Sequence, residues 1–242
     1  MKLIELEEVD STNDYLKREY QNLPMQTCVT AKYQTKGRGR NGHVWESHAN
    51  ENLIMSFLFK DFHKIEDAWK MTQLATCSVV GLLDRYRIKA TIKWPNDIMV
   101  NGRKLVGILT ELSASMEKID YIIMGIGINT GMERADFPEA FREGATSFRA
   151  EGVHVSRKTL LAAVLSELEK EYAVAETEGF ARVLDNWRNL SCTLGQSVRV
   201  VLGTNSYTGK AVDIDKDGCL LVDTGNEVNR VIAGDVSIRP AE

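Results

Sequence analysis

Two stretches of the chain are apolar almost without interruption: NLIMSFLF at residues 52–59 and IDYIIMGIGIN at residues 119–129. Runs of that length suit strands covered on both faces, and the second, ending at Asn129, reads as the central strand of a sheet. Residues 27–34, TCVTAKYQ, carry enough β-branched side chains to form a third strand, and residues 3–6 form a short one at the start. Helical spacing appears elsewhere. Residues 65–86 hold Trp69, Leu74, Val79, Leu82 and Leu83 with no proline, and from Ser156 onward Leu160, Leu161, Val164, Leu165, Leu168 and Tyr172 make one apolar stripe. A further helix is expected over about residues 180–190, after Gly179. Near the N-terminus, Asp10-Ser11-Thr12-Asn13 supplies side-chain oxygens to cap a helix through DYLKREYQ.

Breaks in the pattern divide the rest. ATIKW, residues 90–94, is a strand that Pro95 stops. DIMV and KLVGILTEL flank Asn101-Gly102, a pair suited to the positive φ angles of a tight hairpin turn. The segment from Asn129 to about Ser156 has no period and reads as irregular. After Leu194-Gly195 come short alternating runs, SVRVVL, YTGKAVDI, CLLVDT, NRVIA and VSIRP, separated by turn pairs such as Asp217-Gly218 and Gly225-Asn226. This texture predicts a small antiparallel barrel of about five strands. The expected organisation is an α+β domain over residues 1–194 and a small β-barrel over residues 195–242.

Composition narrows the function little. With 242 residues, 43% hydrophobic and 26% charged, the chain can build an ordinary core, and its net charge of −4 gives no global field that favours a polyanion. Cys28, Cys77, Cys192 and Cys219 are scattered with no C-x-x-C, and the four histidines complete no metal-ligand spacing with them, so the cysteines read as free thiols of a reducing compartment. MKLIELEEVDSTND lacks the apolar run of a signal peptide, and no stretch matches a membrane span. A cytoplasmic location is expected.

The chemistry concentrates in two motifs. In QTKGRGRNGHVWES, residues 34–47, Gly37, Gly39 and Gly42 spell G-x-G-x-x-G. A dinucleotide fingerprint needs a helix starting at the last glycine, and HVWESHANEN has no helical period, so that reading fails on context. A short RG patch for RNA is a second reading, weakened by the acidic net charge. The third is a glycine-hinged loop whose Lys36, Arg38 and Arg40 close on an anion, with Trp45 able to stack on a ring; its bland alternative is a solvated basic loop. The second motif, KWPNDIMVNGRKLVGILTE, lets Asp97 and Lys104 face one site from paired strands, while Gly107 permits close approach of a ligand to the backbone. Taken singly, Asp97 is equally a turn residue and Lys104 equally a solvated one.

Together, DSTND, GRGRNGHVWES, KWPNDIMVNGRKLVGIL and GIGIN, in this order and spacing, resemble the bacterial biotin–protein ligases, the biotin–[acetyl-CoA carboxylase] ligases, over nearly the whole chain. The resemblance implies an α+β fold with a mixed-sheet catalytic domain of the biotin/lipoate ligase type and a C-terminal SH3-like barrel. Because DSTND begins at Asp10, it also implies the short type without an N-terminal DNA-binding winged helix, and no DNA binding. The implied reaction joins biotin to the α-phosphate of ATP, giving biotinyl-5′-AMP, and then passes biotin to a lysine of the biotin carboxyl carrier protein. Carried over position by position, Ser11, Thr12, Asn13 and Gln34 match the polar residues of the biotin site. Gly37, Arg38, Gly39 and Arg40 match the ligand-binding loop, Lys104 the carboxylate and phosphate contact beside Gly107, Trp45 a residue that stacks on adenine, and Asn129 a nucleotide contact. Two anions must meet in the first step, so fixed cations from Arg38, Arg40 and Lys104, with Mg²⁺ carried by ATP, fit the chemistry. A loop over the water-sensitive mixed anhydride restrains escape and hydrolysis.

Asp97 is expected to orient either Mg²⁺ or the incoming lysine amine. His43 departs from the family, which often has Arg there, and a neutral imidazole reduces the positive charge near the phosphates. The sequence permits, without requiring, a homodimer along a sheet edge. A lipoate or octanoyl ligase and a non-catalytic nucleotide or RNA binder are the competing readings.

Overall fold

The computed structural model describes residues 1–46, 51–60, 65–114, 119–232 and 235–238. Ser47 of the Gly/Arg motif, His48, Ala49 and Asn50 after it, Ala233 of the fourth expected barrel strand, and Arg239-Pro240 of the last one lie outside the described residues.

A seven-stranded mixed sheet forms the larger part. Strand β1 (Lys2–Val9) leads through helix α1 (Thr12–Glu19) to β2 (Gln26–Gln34). After the Gly/Arg loop come β3 (Asn52–Phe59) and the long helix α2 (Ile65–Arg85). Short β4 (Thr91–Lys93), β5 (Asp97–Val100), β6 (Arg103–Ala114) and β7 (Ile119–Asn129) complete the sheet in the order β1-β2-β3-β7-β6-β5-β4. β1 and β2 pair in parallel; every other neighbouring pair is antiparallel. The apolar run of β7 therefore sits at the sheet's centre. β3 is buried along its whole length because both of its faces are covered: Leu53, Met55, Phe57 and Phe59 join the core that includes α2, while Leu58 packs with Leu16 of α1. The Asn101-Gly102 turn has φ 50 and 76, both positive, as expected for a two-residue hairpin.

The segment after Asn129 is irregular apart from a 3₁₀ turn and the single-turn helix α3 (Glu139–Arg142). Helix α4 (Arg157–Glu178) starts at the N-cap Ser156, whose side chain accepts from the Thr159 backbone N–H, and stops at Gly179, whose φ of 79 no helix can continue. Its Leu160, Leu161, Val164 and Leu168 are buried, with α5 (Ala181–Leu190) following. Trp69 of α2 remains about half exposed at 47%. Among the described residues no helix is long and apolar enough to cross a membrane.

The C-terminal part is a five-stranded antiparallel sheet of β8 (Ser197–Leu202), β9 (Asn205–Ile214), β10 (Leu220–Asp223), β11 (Val228–Val231) and β12 (Asp235–Ile238), ordered β11-β10-β9-β8-β12. Among the described residues no ladder joins β11 to β12. Its inward residues Val198, Val200, Leu220 and Val222 belong to the same hydrophobic core as the larger sheet. Polar ties reinforce that junction: Trp94 donates its backbone N–H to Thr193 Oγ1 at 2.9 Å and its indole N–H to the Gly218 carbonyl at 3.2 Å. The C-terminal sheet is thereby held against the Trp94-Pro95 step, a cis peptide bond.

Candidate active site

The parallel pairing of β1 with β2 brings the turn after β1 beside Gln34 at the end of β2. Ser11 caps α1 with extended backbone (φ −154, ψ 136), so Thr12 and Asn13 fall in the first helical turn and reach under the helix onto β3 and β7. Thr12 donates its backbone N–H to Gln34 Oε1 at 2.8 Å, and its hydroxyl lies 2.6 Å from Ser56 Oγ. Ser56 donates to Asn13 Oδ1 at 2.5 Å, and Asn13 Nδ2 donates to Glu111 Oε2 at 2.8 Å. Ser11, Thr12, Asn13 and Gln34 are all buried. A set of hydroxyls and amides held this way offers donors and acceptors at fixed positions, as a planar urea-like group requires.

Glycines make the adjoining floor. Gly107 of β6 pairs with Gly127 of β7, and a Cβ at Gly127 would lie 2.5 Å from Trp45 Cε2, one at Gly107 2.8 Å from Trp45 Cζ3. The Trp45 indole therefore lies against the bare backbone of two strands, and its buried Nε1 has no hydrogen-bond partner among the described residues. Gly125 serves Asn13 in the same way: a Cβ there would come 2.4 Å from Asn13 Oδ1. The Gly/Arg loop is itself a small closed hairpin, with Trp45 N–H donating to the Gly37 carbonyl at 3.1 Å and Gly39 N–H to the His43 carbonyl at 2.7 Å. Gly37 is needed for that closure, since a Cβ would meet the Trp45 carbonyl oxygen at 2.2 Å.

These parts enclose a cleft of about 450 Å³. Its walls include Ser11, Thr12, Asn13 and Gln34 at one end, and Arg38, Gly39, Arg40, Trp45, Asp97, Lys104 and Gly107 further along. Arg40 and Lys104, from the loop and from β6, thus share one cavity. Lys104 Nζ is 2.6 Å from Asp97 Oδ1 and 5.7 Å from the centre of the Trp45 ring. Asp97 is the one carboxylate lining the cleft among the described residues, against the cations Arg38, Arg40, Lys93 and Lys104. Arg38 is engaged at the edge of the cleft, 2.6 Å from Asp14 and 3.1 Å from Glu111. Burial alone would raise the Glu111 carboxyl, but hydrogen bonds from Lys17 and Asn13 and the Lys17 and Arg38 charges outweigh it and hold it below the ordinary range.

Asn129 and Gly37 line no part of this cleft. Asn129 borders a neighbouring apolar cavity of about 650 Å³, which shares Lys104, His43 and Trp45 with the first and is walled by Met132, Phe137 and Phe141. Its side-chain oxygen accepts from Asn52 Nδ2 and its own Nδ2 donates to the Thr146 carbonyl, both at 2.9 Å, so it also holds the mouth of that cavity in shape. His43 is exposed between the two cavities. Among the described residues no group of three or more His, Cys, Asp or Glu side chains is placed to hold a metal ion.

Sequence reasoning missed Ser56, Lys93, Glu111, Gly125, Gly127 and the C-terminal residues Val201, Val236 and Ser237 that complete the cleft. Some of these carried a signal. Ser56 interrupts an otherwise apolar strand, and the alternate glycines of GIGIN share one face. The C-terminal residues carried none, because their place depends on how two sheets dock.

A mixed sheet roofed by a glycine-arginine loop, with an amide-lined end and a cationic end to one cleft, defines a class of fold and site that has known relatives. Residues 5–129 match the biotin/lipoate A/B protein ligase family, and residues 193–239 match the biotin protein ligase C-terminal domain. The chain belongs to the biotin/lipoate A/B protein ligase family. It is 34% identical over 219 residues to the bifunctional ligase/repressor BirA of Bacillus subtilis, covering 90% of this chain and 67% of that one. It is 32% identical over 215 residues to the biotin–[acetyl-CoA-carboxylase] ligase of Mycobacterium tuberculosis, covering 86% and 77%. The structure of the biotin protein ligase from Aquifex aeolicus in complex with biotin and ATP superimposes with a TM-score of 0.84 at 31% identity, over 99% of both chains.

Proposed function

We infer that this chain is an ATP-dependent biotin–protein ligase. The observation that carries the reading is a single cleft with a hydrogen-bonding end, Thr12 to Asn13 with Gln34, and a cationic end, Arg40 with Lys104, separated by the Trp45 indole. A bicyclic urea with a carboxylate tail fits that polarity: the ring end against the amides, the carboxylate toward Lys104.

In the first step a biotin carboxylate oxygen attacks the α-phosphorus of ATP, the bond to the bridging oxygen breaks, and pyrophosphate leaves with the electron pair. Lys104 and Arg40 offset the repulsion between the two anions and stabilise the charge that builds on the phosphoryl oxygens. The apolar cavity beside Trp45 and Asn129 suits the adenine. In the second step the amine of the acceptor lysine attacks the acyl carbon, AMP departs, and the amine loses a proton; Asp97, 2.6 Å from Lys104, is placed to take or steer that proton. Asp97 is a poor metal cage, being a lone carboxylate already paired with a lysine, so Mg²⁺ enters this scheme as part of the MgATP substrate. The acceptor is the biotin carboxyl carrier protein of acetyl-CoA carboxylase, and the setting is the cytoplasm, without DNA or membrane. The same reading divides the chain at 194/195 into the catalytic domain and a C-terminal domain that closes the cleft through Val201 and Val236. A homodimer would join copies along a sheet edge; past Ile108, β6 faces no partner strand on the side away from β7 among the described residues.

Biotin-dependent exchange of labelled pyrophosphate into ATP tests the assignment. Exchange is expected with biotin and not with lipoate or octanoate at equal concentration. Exchange driven by lipoate or octanoate would move the chain to the other branch of the family, and salt-sensitive polynucleotide binding without exchange would end the enzyme reading.

A further inference from the structure

Asn13 lines the cleft with an amide that can present either end. It is buried against Gly125, with no room to shift. Two neighbours set its direction. Ser56 donates to Oδ1, and Nδ2 donates to Glu111 Oε2 at 2.8 Å and, more weakly, to the Leu109 carbonyl at 3.4 Å. Turning the amide over would place its oxygen against the Glu111 carboxylate and the Leu109 carbonyl, acceptor against acceptor, whereas the Ser56 hydroxyl can donate or accept and tolerates either end. An ionised carboxylate can only accept, so it locks the amide in a way a hydroxyl cannot.

Glu111 has a second attachment. Its Oε1 takes Lys17 Nζ at 2.8 Å, and both its oxygens contact Arg38 Nη2 at 3.1 and 3.2 Å. Arg38 is therefore moored at the root of the Gly/Arg loop, where Asp14 holds it as well. One side chain on β6 thus ties the helix that carries Asn13 to the loop that covers the cleft.

Resting on the ligase reading, we propose that Glu111 is a positioning residue of the biotin-activating step: it fixes the donor–acceptor polarity of Asn13 toward the ureido ring and anchors the covering loop through Arg38. Glu111 touches no reacting atom. Its action passes through two residues that face the cleft, so its loss should weaken capture of the urea-bearing substrate while sparing ATP.

The test is steady-state pyrophosphate exchange by wild type, Glu111→Leu, Asn13→Ala and the double variant, with KM for biotin and for ATP measured separately and folding followed by thermal melting. Glu111→Leu is expected to raise KM for biotin at least tenfold and leave KM for ATP within twofold. Added to Asn13→Ala it should raise KM for biotin less than threefold further, since the amide it orients is already gone and the loop anchoring is read separately as escape of biotinyl-5′-AMP. A folded Glu111→Leu protein with biotin KM within twofold of wild type, or with both KM values raised alike, or additive with Asn13→Ala, overturns the proposal. If Glu111→Leu does not fold, Glu111→Gln decides. Its amide oxygen still accepts from Asn13 but its charge toward Arg38 and Lys17 is gone, so biotin KM should stay within threefold while biotinyl-5′-AMP escapes at least fivefold faster; unchanged escape overturns the anchoring. Absence of biotin-dependent exchange in wild type would refute the ligase reading itself, a separate result.

Discussion

Asp10 stands one residue before the buried polar cluster of Ser11, Thr12 and Asn13, and its chemistry shows how firmly that turn is set. The Arg18 guanidinium donates to it, and with help from the Ser11 backbone N–H holds its carboxyl at about 2 rather than 3.8. A folded-state value below the ordinary one means that ionised Asp10 contributes stability above pH 3.8, and that the contribution disappears as pH falls toward about 2. An Asp10→Asn variant is therefore expected to be less stable than wild type in urea at neutral pH, with the gap closing between those two pH values; a gap that stays constant through acid would show that the charge plays no part. The pair is exposed enough that the gap will be small. At this scale, residue type told more than residue environment. The motifs and the resemblance singled out Thr12, Asn13, Gln34, Arg40 and Lys104, and these five line one cleft. That Arg38 would spend its guanidinium on Asp14 and Glu111 was not legible, since both partners reach it through folding, from positions 24 and 73 residues away.

The strands and the loop act as surfaces, and here glycine spacing matters more than polarity. Gly107 and Gly127 are register partners on β6 and β7, and together they provide the flat patch that the Trp45 indole covers. Gly127→Ala puts a methyl 2.5 Å from Trp45 Cε2, closer than real contacts allow, so the indole or the strand must move. The expected result is at least a tenfold fall in kcat/KM for exchange. Gly81→Ala is the control: it lies on the exposed side of α2 with nothing within 4 Å of the new methyl, and should keep wild-type activity while gaining up to about 1 kcal/mol of helix stability. Equal activity in both variants would mean that the indole's seat is irrelevant. The elements themselves were largely readable, because β3 and β7 are apolar on both faces and α4 carries one stripe. The single turn of α3 was not, being four residues long with no period to detect.

Across the whole molecule, the cleft is assembled from parts remote in sequence. Helix α1 and β2 supply the amides, the Gly/Arg loop supplies Arg40 and Trp45, β5 and β6 supply Asp97 and Lys104, and the C-terminal sheet adds Val236 and Ser237 to the wall. Motif spelling pointed to most of these pieces, and the change of texture after Gly195 pointed to a second sheet. Neither could reveal that Thr193 and Gly218 hold that sheet against Trp94, because docking depends on the shapes of two finished surfaces. The central claim is that cations from separate elements converge to let a carboxylate approach a triphosphate. It is tested most directly by biotin-dependent ATP–pyrophosphate exchange in Arg40→Ala and Lys104→Ala, each verified as folded. Each variant is expected to exchange at least tenfold more slowly than wild type, about 1.4 kcal/mol in the barrier; wild-type rates in both would contradict the account.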